Sequence, residues 1–202
     1  PLTALRLKLE RAHDLLESDP SGAAERLVAA ERETDRLVTI VEGLLALGRA
    51  GAPTVRPAPT DLGAVARTRV EQWEALAAES GVEVRVEGAP SAGVLAIPTA
   101  VEQIIDNLLD NALAVSAEGT VVRVLVTGGE RPSVSIIDEG PGMSDEELAR
   151  AFDRFWRGST TTPGTGLGLA IVAELARASG AEATLRRGDP RGLVATVEFA
   201  GT

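Results

Sequence analysis

The sequence predicts an α+β protein. A helical hairpin, which dimerises as a four-helix bundle, precedes a two-layer α/β sandwich with a mixed, largely antiparallel sheet and helices on one face. Three observations carry this reading. Residues 1–50 keep a narrow apolar seam, a Pro-rich stretch at 51–60 interrupts it, and segments of helical period then alternate with segments of period two.

The first helix is expected over 1–18, where Leu2, Leu5, Leu9, Ala12 and Leu16 repeat at three-then-four spacing. "SDPSG", with Pro20 and Gly22, breaks it. A second helix is expected to about Arg49, carrying Leu27, Ala30, Thr34, Leu37, Val41, Leu44 and Gly48 on the same kind of seam. Two such helices form an antiparallel hairpin whose core is too small to stand alone, so a second copy is expected to complete a bundle. "GAPTVRPAPT" (51–60) reads as a linker.

Asp61 is positioned to cap a helix running to about Ser80. "VEVRVEG" and "GVLAI" read as strands, the first ended by Gly88. Pro98 suits a first helical position, opening the amphipathic helix "TAVEQIIDNLLDNALAVS". "TVVRVLVTG" and "PSVSIID" are strands around a Gly128–Gly129 turn. A short helix lies near "SDEELARAF" and a longer one at "GLAIVAELARAS". "AEATLRR" and "LVATVEF" close as a hairpin around "GDPRG".

Composition removes several function classes. The formal net charge is -10, so a nucleic-acid partner is not expected. There is no cysteine, which excludes disulfide and thiol chemistry, and the single histidine, His13, does not support a protein-built zinc site. No apolar run reaches the length of a membrane span. The chain starts with Pro, so a piece of a longer protein is expected.

Four motifs carry chemistry. In "DNLLDNA", Asn107 and Asn111 share a helix face among Ile104, Ile105, Leu108 and Leu109. Their carbonyl oxygens suit a hard cation such as Mg2+, although, for this motif alone, ordinary exposed asparagines or buried ones bonded to backbone are the better reading. In "IIDEGPGMS", Asp138 ends an apolar strand and Gly140 and Gly142 follow it. A carboxylate there can accept from the 6-amino group of adenine, and guanine would leave it facing a carbonyl. An ordinary strand-to-loop turn is the alternative. "FDRFWRGS" gathers Phe152, Phe155 and Trp156, either anchoring a mobile flap or forming a small satellite core. Arg154 and Arg157 offer guanidinium forks to phosphate. "PGTGLGLAIVAELA" places Gly164, Gly166 and Gly168 at alternate positions before a helix. It is neither a P-loop, lacking Gly-Lys-Ser/Thr, nor a dinucleotide fingerprint, because Leu169 stands at the last glycine position. Free amides at that helix start favour anions.

Taken in order, these stretches resemble the cytoplasmic kinase core of bacterial two-component sensor histidine kinases, members of the gyrase, heat-shock chaperone, histidine kinase and mismatch-repair ATPase superfamily. "IIDNLLDNA" resembles the N box, "DEGPGM" the G1 box, "FDRFWRG" the F box and "GTGLGLAI" the G2 box. The resemblance covers nearly the whole chain, including "VEGLLALGRA" at the end of the hairpin. It implies a dimerisation and phosphotransfer hairpin at 1–50, lacking its start, a linker at 51–60 and a catalytic ATP-binding domain at 61–202. It implies ATP and Mg2+ as cofactors, with Asn111 and Asn107 holding the metal and Asp138 the adenine amine. Gly140, Gly142 and Met143 would shape the base pocket, and residues from about Glu139 to Thr165 would form a lid. Gly164, Gly166 and Gly168 would hinge that lid, Arg157 would approach the triphosphate, and Phe155, Thr165, Leu167 and Leu169 would also meet the nucleotide. The family transfers the γ-phosphoryl to a hairpin histidine and then to an aspartate on a response-regulator receiver domain. By the same resemblance the protein is a homodimer through residues 1–50 and the cytoplasmic portion of a membrane-anchored chain.

Two departures qualify this expectation. "PLTALRLKLE" resembles the stretch just after the family's phosphoacceptor, which places the acceptor upstream of residue 1. His13 lies about three turns too late, so this stretch of chain is expected to bind ATP but not to autophosphorylate. Ala114 and Val115 stand where the family often has a basic residue followed by Tyr or His, which implies weaker nucleotide binding or compensation by Arg157 and Arg154. A non-catalytic dimeric scaffold with weak nucleotide binding, and a serine kinase of anti-sigma type, are the alternative functions.

Overall fold

A computed structural model describes residues 56–158 and 165–201 and, in the hairpin region, residues 9, 11–13, 15, 19, 20, 22–24, 27 and 30. The chain divides into two compact units, Pro1–Leu45 and Ala46–Thr202. In the first unit every described residue except Asp19 is helical. Pro20 does more than break a helix. Asp19 Oδ1 accepts from the Gly22 amide at 3.0 Å, and Pro20 is the first helical residue after that cap. Ala12, Ala23 and Ala30 are buried, whereas Leu9 and Leu27 are 45% and 41% exposed. The second helix beyond residue 30 and residues 51–55 of the linker lie outside the described residues.

Among its described residues the second unit carries seven strands and four helices. In chain order these are β1 (Ala58–Asp61), α1 (Leu62–Glu79), β2 (Glu83–Gly88), β3 (Gly93–Ala96), α2 (Ala100–Val115), β4 (Val121–Thr127) and β5 (Ser133–Ile137). Then follow α3 (Asp145–Arg150), α4 (Gly168–Ala178), β6 (Glu182–Arg187) and β7 (Leu193–Glu198). Residues 58–60, read as linker, are strand. β1 pairs antiparallel with β3 in a sheet of its own.

The main sheet has the order β2-β4-β5-β7-β6, with β2–β4 parallel and the other pairs antiparallel. Alternate residues of β4 (Val122, Val124 and Val126) are buried, as a half-covered strand requires, while central β5 buries Val134, Ser135 and Ile136 together. α1 packs on β2 and β4, α2 on β4 and β5, and α4 on β6. α2 touches both of its helical neighbours. α1, α2 and α4 therefore form one layer, and Ile104, Ile105 and Leu109 of α2 are fully buried at its centre.

Local signals set the helix ends. Asp61 caps α1 by accepting from the Gly63 and Ala64 amides at 3.0 and 3.2 Å, and Ser80 closes it. Asp61 also accepts from Ser91 Oγ and the Ala92 amide, joining the start of α1 to the loop before β3. The Ser91 hydroxyl, with these amides, holds its carboxyl below the usual Asp range. Pro98 is not the first residue of α2. The helix begins at Ala100 after Thr99, which takes φ 66° without a side-chain cap. The competing constraint is tertiary, because the Ile97 amide donates to buried Ser179 Oγ at 3.1 Å, which fixes the approach to the helix. Asp106 Oδ1 binds α2 to α1, accepting from Arg69 Nε at 2.7 Å and Trp73 Nε1 at 2.9 Å.

Candidate functional site

α2 supplies the first half of the site. Asn107 and Asn111 lie one turn apart, and Gly168, the first residue of α4, sits directly on them. A Cβ added to Gly168 would stand 3.1 Å from Asn111 Nδ2, 3.3 Å from Asn107 Oδ1 and 3.5 Å from Asn111 Oδ1. The glycine thus leaves room where a side chain would press on both carboxamides. Asn107 Nδ2 donates to the Gln103 carbonyl at 2.7 Å, which turns its oxygen away from its own helix backbone. Asn111 Nδ2 is buried and has no hydrogen-bond partner among the described residues. A buried donor left unmade costs about 1–3 kcal/mol, so an acceptor reaching this atom would be favoured. Carboxamide oxygens beside such a donor fit a hard cation and an anionic oxygen together. No group of His, Cys, Asp or Glu able to hold a metal occurs among the described residues.

β5 supplies the second half. Asp138 follows its last residue and is 5% exposed. Its Oδ1 accepts from the Gly140 amide at 2.8 Å and the Leu193 amide at 3.2 Å. Burial raises its carboxyl above the usual Asp range, and these two amides only partly oppose the shift. Gly140 joins the halves: a Cβ there would meet Asp138 Oδ1 and Val115 Cγ2, both at 2.9 Å. Val115 is one turn beyond Asn111, so Asp138 lies along the Asn107–Asn111 side of α2. Val115, one of the two departures from the family pattern, packs against the G1-like turn, while Ala114 is exposed.

The segment between the halves is pinned at both edges. Arg187 Nε of β6 donates to the Met143 carbonyl at 3.0 Å and Arg187 pairs with Asp145 at 3.0 Å, while Arg191 pairs with Glu139 at 3.5 Å. Ser144 and Glu147 form a capping box on α3. Arg150 lies 5.9 Å over the Trp156 ring. Phe155 has φ 63°, is 67% exposed, and donates from its amide to the Gly166 carbonyl at 2.8 Å. Gly166, at φ 68°, lies against the Phe155 and Trp156 backbone, where a Cβ would come within 2.6 Å of the Trp156 carbonyl oxygen. Thr165 Oγ1 accepts from the Leu167 amide at 3.3 Å. Leu167 is buried, Leu169 half-buried and Arg157 exposed. Gly164 lies outside the described residues.

The sequence reading missed one element of the site. By residue type "GDPRG" is only a turn, yet its Gly192 presses on Asp138. Gly192 has φ 87°, and a Cβ there would stand 1.9 Å from the Asp138 carbonyl oxygen. Gly142, at φ 71°, completes the approach from the other side, 2.8 Å from the Gly192 carbonyl by the same measure. The second glycine after Asp-Pro-Arg was the available signal, but nothing local said what it approached.

Residues 96–201 match the family of histidine kinase-, DNA gyrase B-, and HSP90-like ATPases. The chain is similar to the sensor protein QseC of Escherichia coli (strain K12), 31% identical over 204 residues, covering 98% of this chain and 44% of the relative. It is also similar to the signal transduction histidine-protein kinase AfsQ2 of Streptomyces coelicolor, 32% identical over 223 residues, covering 98% of this chain and 39% of the relative. Thus it spans less than half the length of either. The structure resembles full-length ShkA in complex with AMPPNP at a TM-score of 0.72 and 28% identity, covering 99% of this chain and 44% of that one.

Proposed function

Because the chain belongs to the family of histidine kinase-, DNA gyrase B-, and HSP90-like ATPases, we propose that its second unit binds Mg·ATP and that the whole protein is a sensor histidine kinase of a two-component system. The observation that carries this is the meeting of Gly168 with Asn107 and Asn111 around a buried Asn111 donor that has no partner among the described residues. Asn111 and Asn107 hold Mg2+ through their carboxamide oxygens, and bound Mg2+ neutralises charge on the triphosphate. Asn111 Nδ2 donates to a phosphate oxygen, and Asp138 accepts from the adenine amine. Gly140, Gly142 and Met143 wall the base. Gly164, Gly166 and Gly168 hinge the lid, with Phe155, Thr165, Leu167 and Leu169 against the nucleotide and Arg157 at the phosphates. The γ-phosphoryl passes to a histidine of the dimerisation hairpin and then to a receiver-domain aspartate of a response regulator.

The division into a hairpin at 1–50, a linker at 51–60 and a catalytic domain at 61–202 belongs to the same reading, as do homodimerisation through 1–50 and a membrane-anchored parent chain. His13 is not the acceptor. No helix among the described residues is long and apolar enough to cross a membrane.

Calorimetric titration tests the site. Mg·ATP is expected to bind and Mg·GTP to bind at least tenfold more weakly, since guanine leaves the buried Asp138 facing an acceptor. Asn111→Ala is expected to abolish the Mg2+ dependence. Equal affinity for the two nucleotides would overturn the assignment of Asp138.

A further inference from the structure

The chain that leads from Asp138 into α3 forms one side of the site without a core of its own. No residue from 141 to 150 is buried, and α3 buries none of its six. Hydrophobic burial therefore does little to fix where this segment lies, and its polar contacts carry more of the task.

One rung of the β6–β7 hairpin supplies those contacts. Arg187, the last residue of β6, stands opposite Leu193, the first of β7. The Leu193 amide donates to Asp138 Oδ1 at 3.2 Å. From the other strand of the same rung, Arg187 Nε donates to the Met143 carbonyl at 3.0 Å, and Arg187 Nη2 pairs with Asp145 Oδ1, also at 3.0 Å. Gly142 approaches Gly192 between these grips. A single rung thus holds both ends of the turn 138–143, so the hairpin sets the separation of Asp138 from Met143.

The two contacts of Arg187 are unequal. Its pair with Asp145 is open to water, with side chains 56% and 89% exposed, and such a pair is worth little. The bond to the Met143 carbonyl joins a rigid, charged fork to backbone, so it restrains the path of the chain itself.

We propose that Arg187 is a positioning residue for recognition of the base. The proposal rests on the reading of Asp138 and Met143 as parts of an adenine pocket. Arg187 holds the Met143 side of that pocket at a set distance from Asp138, so the base lies where its amine meets the carboxylate. Loss of the guanidinium frees the 141–150 segment and costs selectivity for the base. The Asn107–Asn111 face is unaffected, because it stands on α2, whose buried side chains fix it.

The test is calorimetric titration of the full chain with Mg·ATP and Mg·GTP, together with thermal melting. Arg187→Ala is expected to weaken Mg·ATP about fivefold or more, roughly what one net hydrogen bond is worth, while Mg·GTP changes by less than about twofold. Tm should hold within about 2 °C, as for an exposed side chain. The preference for adenine then falls by the same factor as the ATP affinity, which a general loss of stability would not produce. Arg186→Ala is the control. It removes the same charge one residue earlier, on the opposite face of β6, and should bind both nucleotides as the parent does. Unchanged Mg·ATP affinity in Arg187→Ala, an equal loss for the two nucleotides, or an equal effect of Arg186→Ala overturns the role of Arg187 and leaves the nucleotide site standing. A parent chain that binds neither nucleotide overturns the site, and this role with it.

Discussion

Replacing Gly192 with alanine tests how the site is built. The added Cβ would stand 1.9 Å from the Asp138 carbonyl oxygen and 2.7 Å from its carbon, whereas Cβ contacts under 3.0 Å essentially never occur. Both atoms are backbone, so no side chain can swing aside. The β6–β7 turn has to retreat by about 1 Å, which carries the Leu193 amide, now 3.2 Å from Asp138 Oδ1, to roughly 4.2 Å and out of hydrogen-bond range. The reciprocal bond from the Asp138 amide to the Leu193 carbonyl, 3.1 Å long, goes with it. Losing a bond to a charged acceptor costs about 1.5–3 kcal/mol and the neutral one about 0.5–1.5 kcal/mol. Left-handed backbone at a non-glycine residue adds about 1–2 kcal/mol.

The total is roughly 3–6 kcal/mol, or a fall in Tm of about 6–24 °C for a domain of this size. A displaced Asp138 also forfeits its bond to the base, so the Kd for Mg·ATP should rise about tenfold to a hundredfold. Calorimetry and thermal melting read both effects. Gly119→Ala is the control: Gly119 has φ 81°, but a Cβ there meets nothing within 4 Å. It should lose only the left-handed strain and bind ATP as the parent does. If Gly192→Ala matched Gly119→Ala in both measurements, the idea that this turn positions Asp138 would be wrong.

Gly168→Ala should separate stability from binding. A better helix former at the start of α4 holds or raises Tm, while its methyl presses on the Asn107 and Asn111 carboxamides and weakens Mg·ATP at least tenfold; a variant that binds normally counts against a nucleotide at this contact. The raised carboxyl of Asp138 makes a two-sided pH prediction. Its folded pKa lies above the unfolded one, so its contribution to stability is fully present below the unfolded value and is lost as pH rises through the folded value. ATP affinity runs the other way, falling as acid protonates the carboxylate at a pH above the usual Asp range. Asp138→Asn should therefore flatten the acid limb of ATP binding, lower affinity at neutral pH and leave the ligand-free Tm no lower, all measurable by titration and melting across pH.

Much of the second unit was legible because its signals are local. Asp61 caps α1, Gly88 ends β2, and "GDPRG" turns β6 into β7, each where residue type and period placed it. The valines of β4 showed their buried face by alternation alone. Pro98 misled because Thr99 adopts a left-handed backbone that propensity disfavours, with Ser179 from a distant helix end holding the residue before the proline. β1 was hidden inside a Pro-rich stretch, since four residues become a strand only when β3 is beside them. The parallel pairing of β2 with β4 leaves no local trace, because the residues between them include β3, which pairs elsewhere, and α2.

The sequence by itself determined which elements form and which chemical groups they carry: two asparagines on one helix face, an aspartate closing an apolar strand, a glycine opening a helix. Those follow from backbone period, capping and turn chemistry, which act within a few residues. The tertiary structure alone decided that Gly168 lies on Asn107 and Asn111, that Asn111 keeps a buried donor without a partner among the described residues, and that Gly192 holds Asp138. These are contacts of a few ångströms between segments far apart in the chain. Only packing of the helix layer on the sheet brings such groups together, and it does so through burial, which is insensitive to sequence order.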